Sequence, residues 1–347
     1  MSAMNRQSFQ DPETALSVWL TTGASRAARR FAIAAAVTAG TAGMIAATPV
    51  ASHAQTIGYY RFEEGTVGSA VPVTPDAGAP AQSPVLDSSG NGNNFKTFAT
   101  FTAPVYGSSV PAATVPRTGA ANLRSLGFTP NQDIYSLNAV GGGPNGGTLN
   151  DHNFSAFTIE ASVRFNDLGG FQTFVGRDRP GQTLGGFYLR KWGGNDANLN
   201  TLNVTVVADN NTTFDLFSTG TGAGDTFSTV SANVWYNVVA QSTGTQLSLF
   251  VQNNGTGVYE LQGSLAINTA LSNTGATNFT LGRGWFNNPA DFLNGSLDEV
   301  RISDRALAPS EFLFARQAVS AAPEPGSLTL LLPVLGVVGI ILRRRKK

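Results

Sequence analysis

The sequence predicts an all-β protein built from two packed antiparallel sheets, and three observations carry that prediction. From Phe154 onward, short segments alternate apolar and polar residues with period two, as strands with one buried face do. Polar turns separate these segments with no helical pattern between them, which excludes the strand-helix alternation of parallel sheets. Only 13% of the 347 residues are charged and 39 are Gly, a composition that favours strands and turns over long helices.

At the N-terminus, Arg26, Arg29 and Arg30 precede an Ala-rich apolar run from Phe31 to about Val50. Ser52-His53-Ala54 is a small-x-small cleavage site, so residues 1–54 are expected to be a signal peptide with an extended n-region, cut after Ala54. Residues 55–320 are expected to form the β-sandwich. Thr56 to Phe62 is a β-prone opening strand that Glu63 and Glu64 end, and residues 65–85 have no period and read as a loop. The oxygen-rich turn from Leu86 to Phe95 offers Asp87 and Asn91 with backbone carbonyls to calcium, or closes as an Asx-type turn without metal. Residues 102–153 are rich in Pro and Gly, with one strand near Asp133 to Leu137 and a loop over 138–153. No Gly-x-x-x-x-Gly-Lys follows the glycines of that loop, so it is not a phosphate cradle.

In Phe157 to Phe165 the alternation is clean: Ile159, Ala161, Val163 and Phe165 face one way, Glu160, Ser162 and Arg164 the other. Similar strands are expected at Gln172 to Arg177, Gly186 to Lys191, Leu202 to Ala208, Thr213 to Phe217, Val234 to Gln241, Thr245 to Val251, Gly257 to Leu261 and Phe279 to Gly282. Ser242-Thr243-Gly244 and Asn253-Asn254-Gly255 make hairpin turns. The last strand follows Asn294-Gly295, and strict alternation puts Asp298 with Val300 and Ile302, opposite Leu297, Glu299, Arg301 and Ser303. A carboxylate on an apolar face must be protonated, hydrogen-bonded, paired with a cation or bound to a metal, which makes Asp298 a third candidate calcium ligand. Pro309 and Glu311 then predict a short helix around Ser310 to Gln317.

Beyond the sandwich, residues 321–347 hold Pro323-Glu324-Pro325, an apolar run from Leu328 to Leu342 and the basic cluster Arg343, Arg344, Arg345, Lys346 and Lys347. As a single helix, fifteen residues at about 1.5 Å each span about 22 Å, short of a bilayer core of about 30 Å. The basic cluster is expected to stay cytoplasmic and hold the preceding domain outside.

Residues 55–322 contain 13 Lys plus Arg against 19 Asp plus Glu, a net charge near −6 that argues against nucleic acid as a partner. There is no Cys, which excludes disulfides and thiolate metal sites, and the two histidines, His53 and His152, support neither a catalytic triad nor zinc. Glycoside hydrolysis needs two carboxylates about 5 to 10 Å apart, whereas the adjacent pairs Glu63-Glu64 and Asp298-Glu299 are expected to point to opposite faces. Sugar binding is easier to supply, because sugar rings stack on exposed aromatics while amides and carboxylates bond the hydroxyls. Trp192, Trp285 and Phe286 sit in Gly- and Asn-rich loops, either as such platforms or as anchors over the core. Arg283, Asn287, Asn288 and Asp291 are the polar partners around Trp285.

Two stretches resemble known families. Gly295, Leu297-Asp298-Glu299-Val300-Arg301-Ile302 and Arg305-Ala306-Leu307 resemble the closing motif of the laminin-G-like jelly rolls in the concanavalin A-like lectin and glucanase superfamily. Phe157 to Val163 resembles its Phe-Thr-Ile-Glu-Ala-Trp-Val strand with Ser162 in place of Trp, Trp235 to Ala240 its Trp-x-x-Val-Ala hairpin, and Asp87 to Asn93 the turn after its first strand. The likeness runs from about Ile57 to Phe314 and implies a two-sheet antiparallel jelly roll; the Glu-x-Asp-x-x-Glu strand of the superfamily's glucanases has no counterpart here. The C-terminal triplet, apolar run and basic tail resemble the PEP-CTERM sorting signal of Gram-negative, exopolysaccharide-producing bacteria. That resemblance implies exosortase as a partner, with cleavage near Pro323 to Pro325, after a transient inner-membrane stage, and release to the cell surface or extracellular matrix. Together these imply a non-catalytic protein that binds an extracellular polysaccharide or cell-surface glycan. A glycan hydrolase of the same fold and a structural matrix protein without specific ligand are the alternatives.

Overall fold

The structure is a computed structural model that describes residues 56–73, 85–97, 101–136, 149–218, 229–252, 257–271 and 278–316. All of these lie in Ala54–Lys347, one of two units into which the chain divides. The signal peptide with Ala54, the Asn253-Asn254-Gly255 turn and the C-terminal signal with Pro323, Glu324, Pro325, Arg343, Arg344 and Arg345 fall outside the described residues. Among the described residues, no helix is long and apolar enough to cross a membrane.

In chain order the strands are β1 (Thr56–Tyr60), β2 (Phe95–Lys96), β3 (Val105–Gly107), β4 (Ser125–Phe128), β5 (Ile134–Ser136), β6 (Phe157–Phe165), β7 (Gln172–Arg177), β8 (Phe187–Lys191) and β9 (Leu202–Val207). They continue with β10 (Thr213–Phe217), β11 (Trp235–Ser242), β12 (Gln246–Gln252), β13 (Tyr259–Ala266), β14 (Phe279–Leu281), β15 (Gly284–Phe286), β16 (Asn288–Ala290) and β17 (Gly295–Ser303). An eight-stranded sheet runs β13-β12-β11-β6-β17-β4-β3, with β1 also on β17, and a seven-stranded sheet runs β10-β9-β8-β7-β14-β5-β2. All named strand pairs are antiparallel, so the predicted two-sheet sandwich is what forms. The inward side chains interlock as aromatic pairs from opposite sheets: Phe157 meets Phe187 edge-on at 5.8 Å and Phe165 meets Phe174 at 6.2 Å. Such pairs are worth about 0.5–1.5 kcal/mol beyond the area they bury. The Pro- and Gly-rich region 102–153, where one strand was expected, also supplies β3 and β4.

The closing strand departs from strict alternation. Leu297 pairs with Val163 and Ile302 with Ile159, but the register shifts between Asp298 and Arg301, so β17 carries one extra residue there. The bulge puts Leu297, Val300 and Ile302 all in the core and moves Asp298, which pairs with Ser162, to the outer face. The expectation that Asp298 faces the apolar side is therefore corrected, and so is the opposition of Asp298 and Glu299, since both are buried among polar partners. Glu299 adopts φ 46°, a left-handed conformation that costs a non-Gly residue roughly 1–2 kcal/mol. It is held by hydrogen bonds donated by the Tyr59 hydroxyl and Arg61 Nε. Asp298 accepts from Asn122 Nδ2 at 2.9 Å and from the Glu299 N–H at 2.8 Å. Gly295 opens the strand because any Cβ there would lie 2.1 Å from the Arg164 carbonyl oxygen of β6.

Residues 304–316 then cross the outer face of the eight-stranded sheet as a strap. The helix expected over Ser310 to Gln317 is a single 3-10 turn, Pro309–Glu311, because Phe312 turns extended at ψ 150°. That conformation lets Phe312 pack edge-on against Phe250 and Tyr259, at 5.4 and 5.0 Å between ring centres. Outward side chains of the sheet satisfy the strap's backbone: Thr158 Oγ1 donates to Arg305 O at 2.7 Å, Gln241 Nε2 to Leu307 O at 2.6 Å and Gln252 Nε2 to Phe314 O at 2.5 Å. Glu160 Oε1 accepts the Leu313 N–H at 2.7 Å, while its Oε2 pairs with Arg301. So β6, read from sequence as half-buried, is buried on both faces.

Candidate ligand-binding site on the seven-stranded sheet

The seven-stranded sheet has a different cover. The chain leaves β14 and returns as a small hairpin, β15–β16, with Asn287 at φ 58° as its turn, a conformation Asn tolerates better than most residues. The hairpin lies close on β7, where a Cβ at Gly176 would come within 2.6 Å of Arg283 O. Beneath it, Arg283 is clamped by two carboxylates distant in sequence, at the ends of the strands that flank β14. Its Nε meets Asp133 at 2.5 Å, and Nη1 and Nη2 meet the two oxygens of Asp178 at 2.7 and 3.0 Å. Burial pushes both carboxyls up, while the guanidinium pulls them back. Burial opposes the charge on Arg283 as well, and the pair of carboxylates outweighs it, leaving the guanidinium above its ordinary value. At 2% exposure Arg283 is a staple of the fold, and we remove it from the ligand-facing set that sequence reading assigned to it.

The other candidates divide between the two margins of the hairpin. On one margin, Trp192 is edge-on to Phe171 at 4.8 Å and to Phe217 at 5.0 Å, and its indole N–H bonds the Asp196 carboxylate at 3.1 Å. Arg190, which sequence reading missed, ties this margin together: its guanidinium lies over the rings of Tyr188, Trp192 and Phe171 at 4.6 to 5.2 Å and reaches Asp291 at 3.5 Å. Burial pushes Arg190 down and Asp291 up, so desolvation exceeds their mutual attraction at that distance. Sequence offered one signal, since period two in β8 puts Tyr188 and Arg190 on one face.

On the other margin, Trp285 is anchored by its indole N–H to Gln182 O at 2.9 Å. Its neighbour Phe286 is 56% exposed, and Asn287 and Asn288 are exposed beside it. Phe286 forms one wall of a cleft of about 340 Å³, shared with Gln182, Thr183, Leu184 and Asn211. An exposed aromatic ring beside amide and hydroxyl groups is the arrangement that stacks on and hydrogen-bonds a sugar.

The three candidate calcium ligands each have hydrogen-bond partners within the protein. Asp87 accepts backbone N–H bonds from Tyr59 at 2.9 Å, Ser89 at 2.8 Å and Asn93 at 3.0 Å, while Asn91 Nδ2 donates to Thr56 O at 2.6 Å. Those bonds close the Asx-type turn on β1. Asp298 lies on β17 with partners of its own. Among the described residues no group of three or more His, Cys, Asp or Glu is placed to hold a metal.

Residues 141–312 match the family described as the concanavalin A-like lectin/glucanases superfamily, so the chain carries a concanavalin A-like, laminin-G-like domain. Residues 321–346 match the PEP-CTERM protein-sorting motif, which implies exosortase processing and export through the cell envelope. No curated protein matches the sequence. Among solved structures, the binding domain of Paraclostridial Mosquitocidal Protein 1 is similar, with a TM-score of 0.46 and 16% identity, covering 75% of this chain and 52% of that one. Domain 4 of AbnA, a GH43 extracellular arabinanase from Geobacillus stearothermophilus in complex with arabinotriose, gives 0.42 and 15%, covering 74% and 96%. The Botulinum Neurotoxin serotype G binding domain gives 0.42 and 13%, covering 74% and 49%. The chain thus spans about half the length of the first of these.

Proposed function

We propose that the protein is an exported, exosortase-processed, non-catalytic carbohydrate-binding or adhesion protein of the extracellular matrix or cell surface of a Gram-negative bacterium. The single observation that carries this reading is Phe286, an exposed ring on the wall of a cleft that also presents Gln182, Thr183, Leu184 and Asn211. Trp285 and Asp291 position the hairpin that holds Phe286, and Asn287 and Asn288 supply further hydroxyl partners at its tip. The apolar run Leu328 to Leu342 holds the precursor in the inner membrane until cleavage near Pro323 to Pro325.

One observation speaks for the alternative, a glycan hydrolase: carboxylates meet, Asp133 with Asp178, distant in sequence, around Arg283, and Asp298 beside its neighbour Glu299 on β17. A hydrolase needs its pair open to substrate and water, and both of these pairs are buried. The test is to incubate the exported protein with a panel of insoluble polysaccharides and measure the retained fraction and new reducing ends together. Retention without new ends is expected. Release of reducing ends would replace this reading with the hydrolase, and no retention on any member with the structural matrix protein.

A further inference from the structure

We propose that the Phe286 cleft is half of a longer groove, and that the protein grips the interior of a neutral, linear glycan through a second subsite across the Ala208–Thr212 turn. This rests on the carbohydrate-binding reading above and names the ligand class. The second subsite is a cleft of about 490 Å³ lined by Asp209, Asn210, Thr212, Phe214, Asn268 and Thr269. It opens where β10, the edge of the seven-stranded sheet, meets the segment after β13, the edge of the eight-stranded sheet. Phe214 packs against the inter-sheet core and makes its apolar floor.

One turn separates the two clefts. Asn211 faces the Phe286 cleft, while its neighbours Asn210 and Thr212 line the second. Two residues of chain span at most about 7 Å, so the subsites are adjacent. The dividing wall is rigid. Ala208 N–H bonds Thr212 O at 2.9 Å, Thr212 N–H bonds Asn210 Oδ1 at 3.0 Å, and Arg179 Nη1 props Asn211 Oδ1 from behind at 3.1 Å. Asn211 Nδ2 reaches Gln182 Oε1 at 3.2 Å, linking the wall to the first cleft. Each subsite therefore pairs one Phe ring with amides and hydroxyls in fixed positions, as two successive sugar units of one chain require.

Charge selects among glycans. Among the described residues, Asp209 is the single charged group lining either cleft and no Lys or Arg lines them. An acidic polysaccharide would find no cation to pair with and would be repelled by Asp209, whereas a neutral chain meets the donors and acceptors without that penalty. Two adjacent subsites make affinity grow with chain length, because the second contact becomes intramolecular.

The experiment is calorimetric titration of the full-length protein with β-1,4-glucan, β-1,3-glucan and α-1,5-arabinan oligosaccharides of two and eight units, with an eight-unit oligogalacturonate as the acidic arm. At least one neutral octamer should bind at least about tenfold more tightly than its dimer, and the oligogalacturonate should not bind. Phe286→Ala should weaken both lengths. Phe214→Leu should bring the octamer-to-dimer affinity ratio close to one, and so should Asp209→Ala with Asn268→Ala, at exposed positions where folding is not at stake. A ratio that stays at the wild-type value in both variants overturns the second subsite and leaves the carbohydrate-binding reading standing. An oligogalacturonate that binds as tightly as the neutral octamer overturns the neutral class. A wild type that binds no oligosaccharide overturns the parent reading and this one with it.

Discussion

The outer faces of the two sheets use the same chemistry to opposite ends. Each carries a guanidinium on carboxylates, the half-buried Arg301 on Glu160 in the eight-stranded sheet and the buried Arg283 on Asp133 and Asp178 in the seven-stranded one. On the eight-stranded face the strap crosses several strands, and Thr158, Glu160, Gln241 and Gln252 each bond its backbone. On the seven-stranded face the covering hairpin is only three residues per strand and leaves Phe286 and the cleft it lines open beside it. An outward polar residue is thus neither solvent-facing nor ligand-facing by itself. The extent of the covering segment decides which.

The comparison breaks most visibly at the strap. Glu160→Ala leaves the half-buried Arg301 without its carboxylate and the Leu313 N–H without an acceptor, and should cost about 2–3 kcal/mol in urea unfolding. A loss below about 1 kcal/mol would mean that the strap is not latched by this pair. Next comes pH. Burial pushes the Glu299 carboxyl up to about 7, against the pull of Tyr59 and Arg61, from an ordinary value of 4.5. The folded state therefore holds a proton that the unfolded state releases between those values. That contribution is complete below about pH 4.5 and is lost as pH climbs to about 7, by about 3 kcal/mol in all. Glu299→Gln should flatten that part of the stability profile; an unchanged slope would remove Glu299 as its source.

Smaller effects separate the margins of the hairpin. Trp192→Ala strips a half-buried ring from Phe171, Phe217 and Arg190, and should cost about 1–2 kcal/mol while polysaccharide retention persists. Phe286→Ala should stay within about 0.5 kcal/mol of wild type in stability yet abolish retention, and the reverse pattern would move the site to the Trp192 margin. Smallest of all, a chelator should leave the melting temperature unchanged, because Asp87 is bonded to three backbone N–H groups and Asp298 to Asn122 and the Glu299 N–H. A drop on chelation would establish calcium binding through linkage.

The sandwich was legible because period two survives wherever a strand packs on the inter-sheet core, as in Ile159, Ala161, Val163 and Phe165. The bulge at Asp298 was not, since one extra residue leaves composition and motif intact while flipping the faces after it. Nor was the strap, because Thr158 and Glu160 look the same in sequence whether their hydrogen-bond partner is water or the strap backbone at Arg305, Leu307 and Leu313. In the site, the aromatic loops announced Trp192, Trp285 and Phe286, but only the fold separates the anchored tryptophans from the exposed Phe286. Arg283 sat in a loop-like run and proved to be a staple, because Asp133 and Asp178 lie 150 and 105 residues away.

The central claim is that ligand meets the hairpin margin of the seven-stranded sheet while the strapped face stays closed. Amide hydrogen exchange, run with and without the polysaccharide that the panel retains, tests it most directly. The account predicts slowed exchange at residues 182–184, 211 and 284–288 and no change across 304–316. Slowed exchange across the strap, with none at the hairpin, would contradict it.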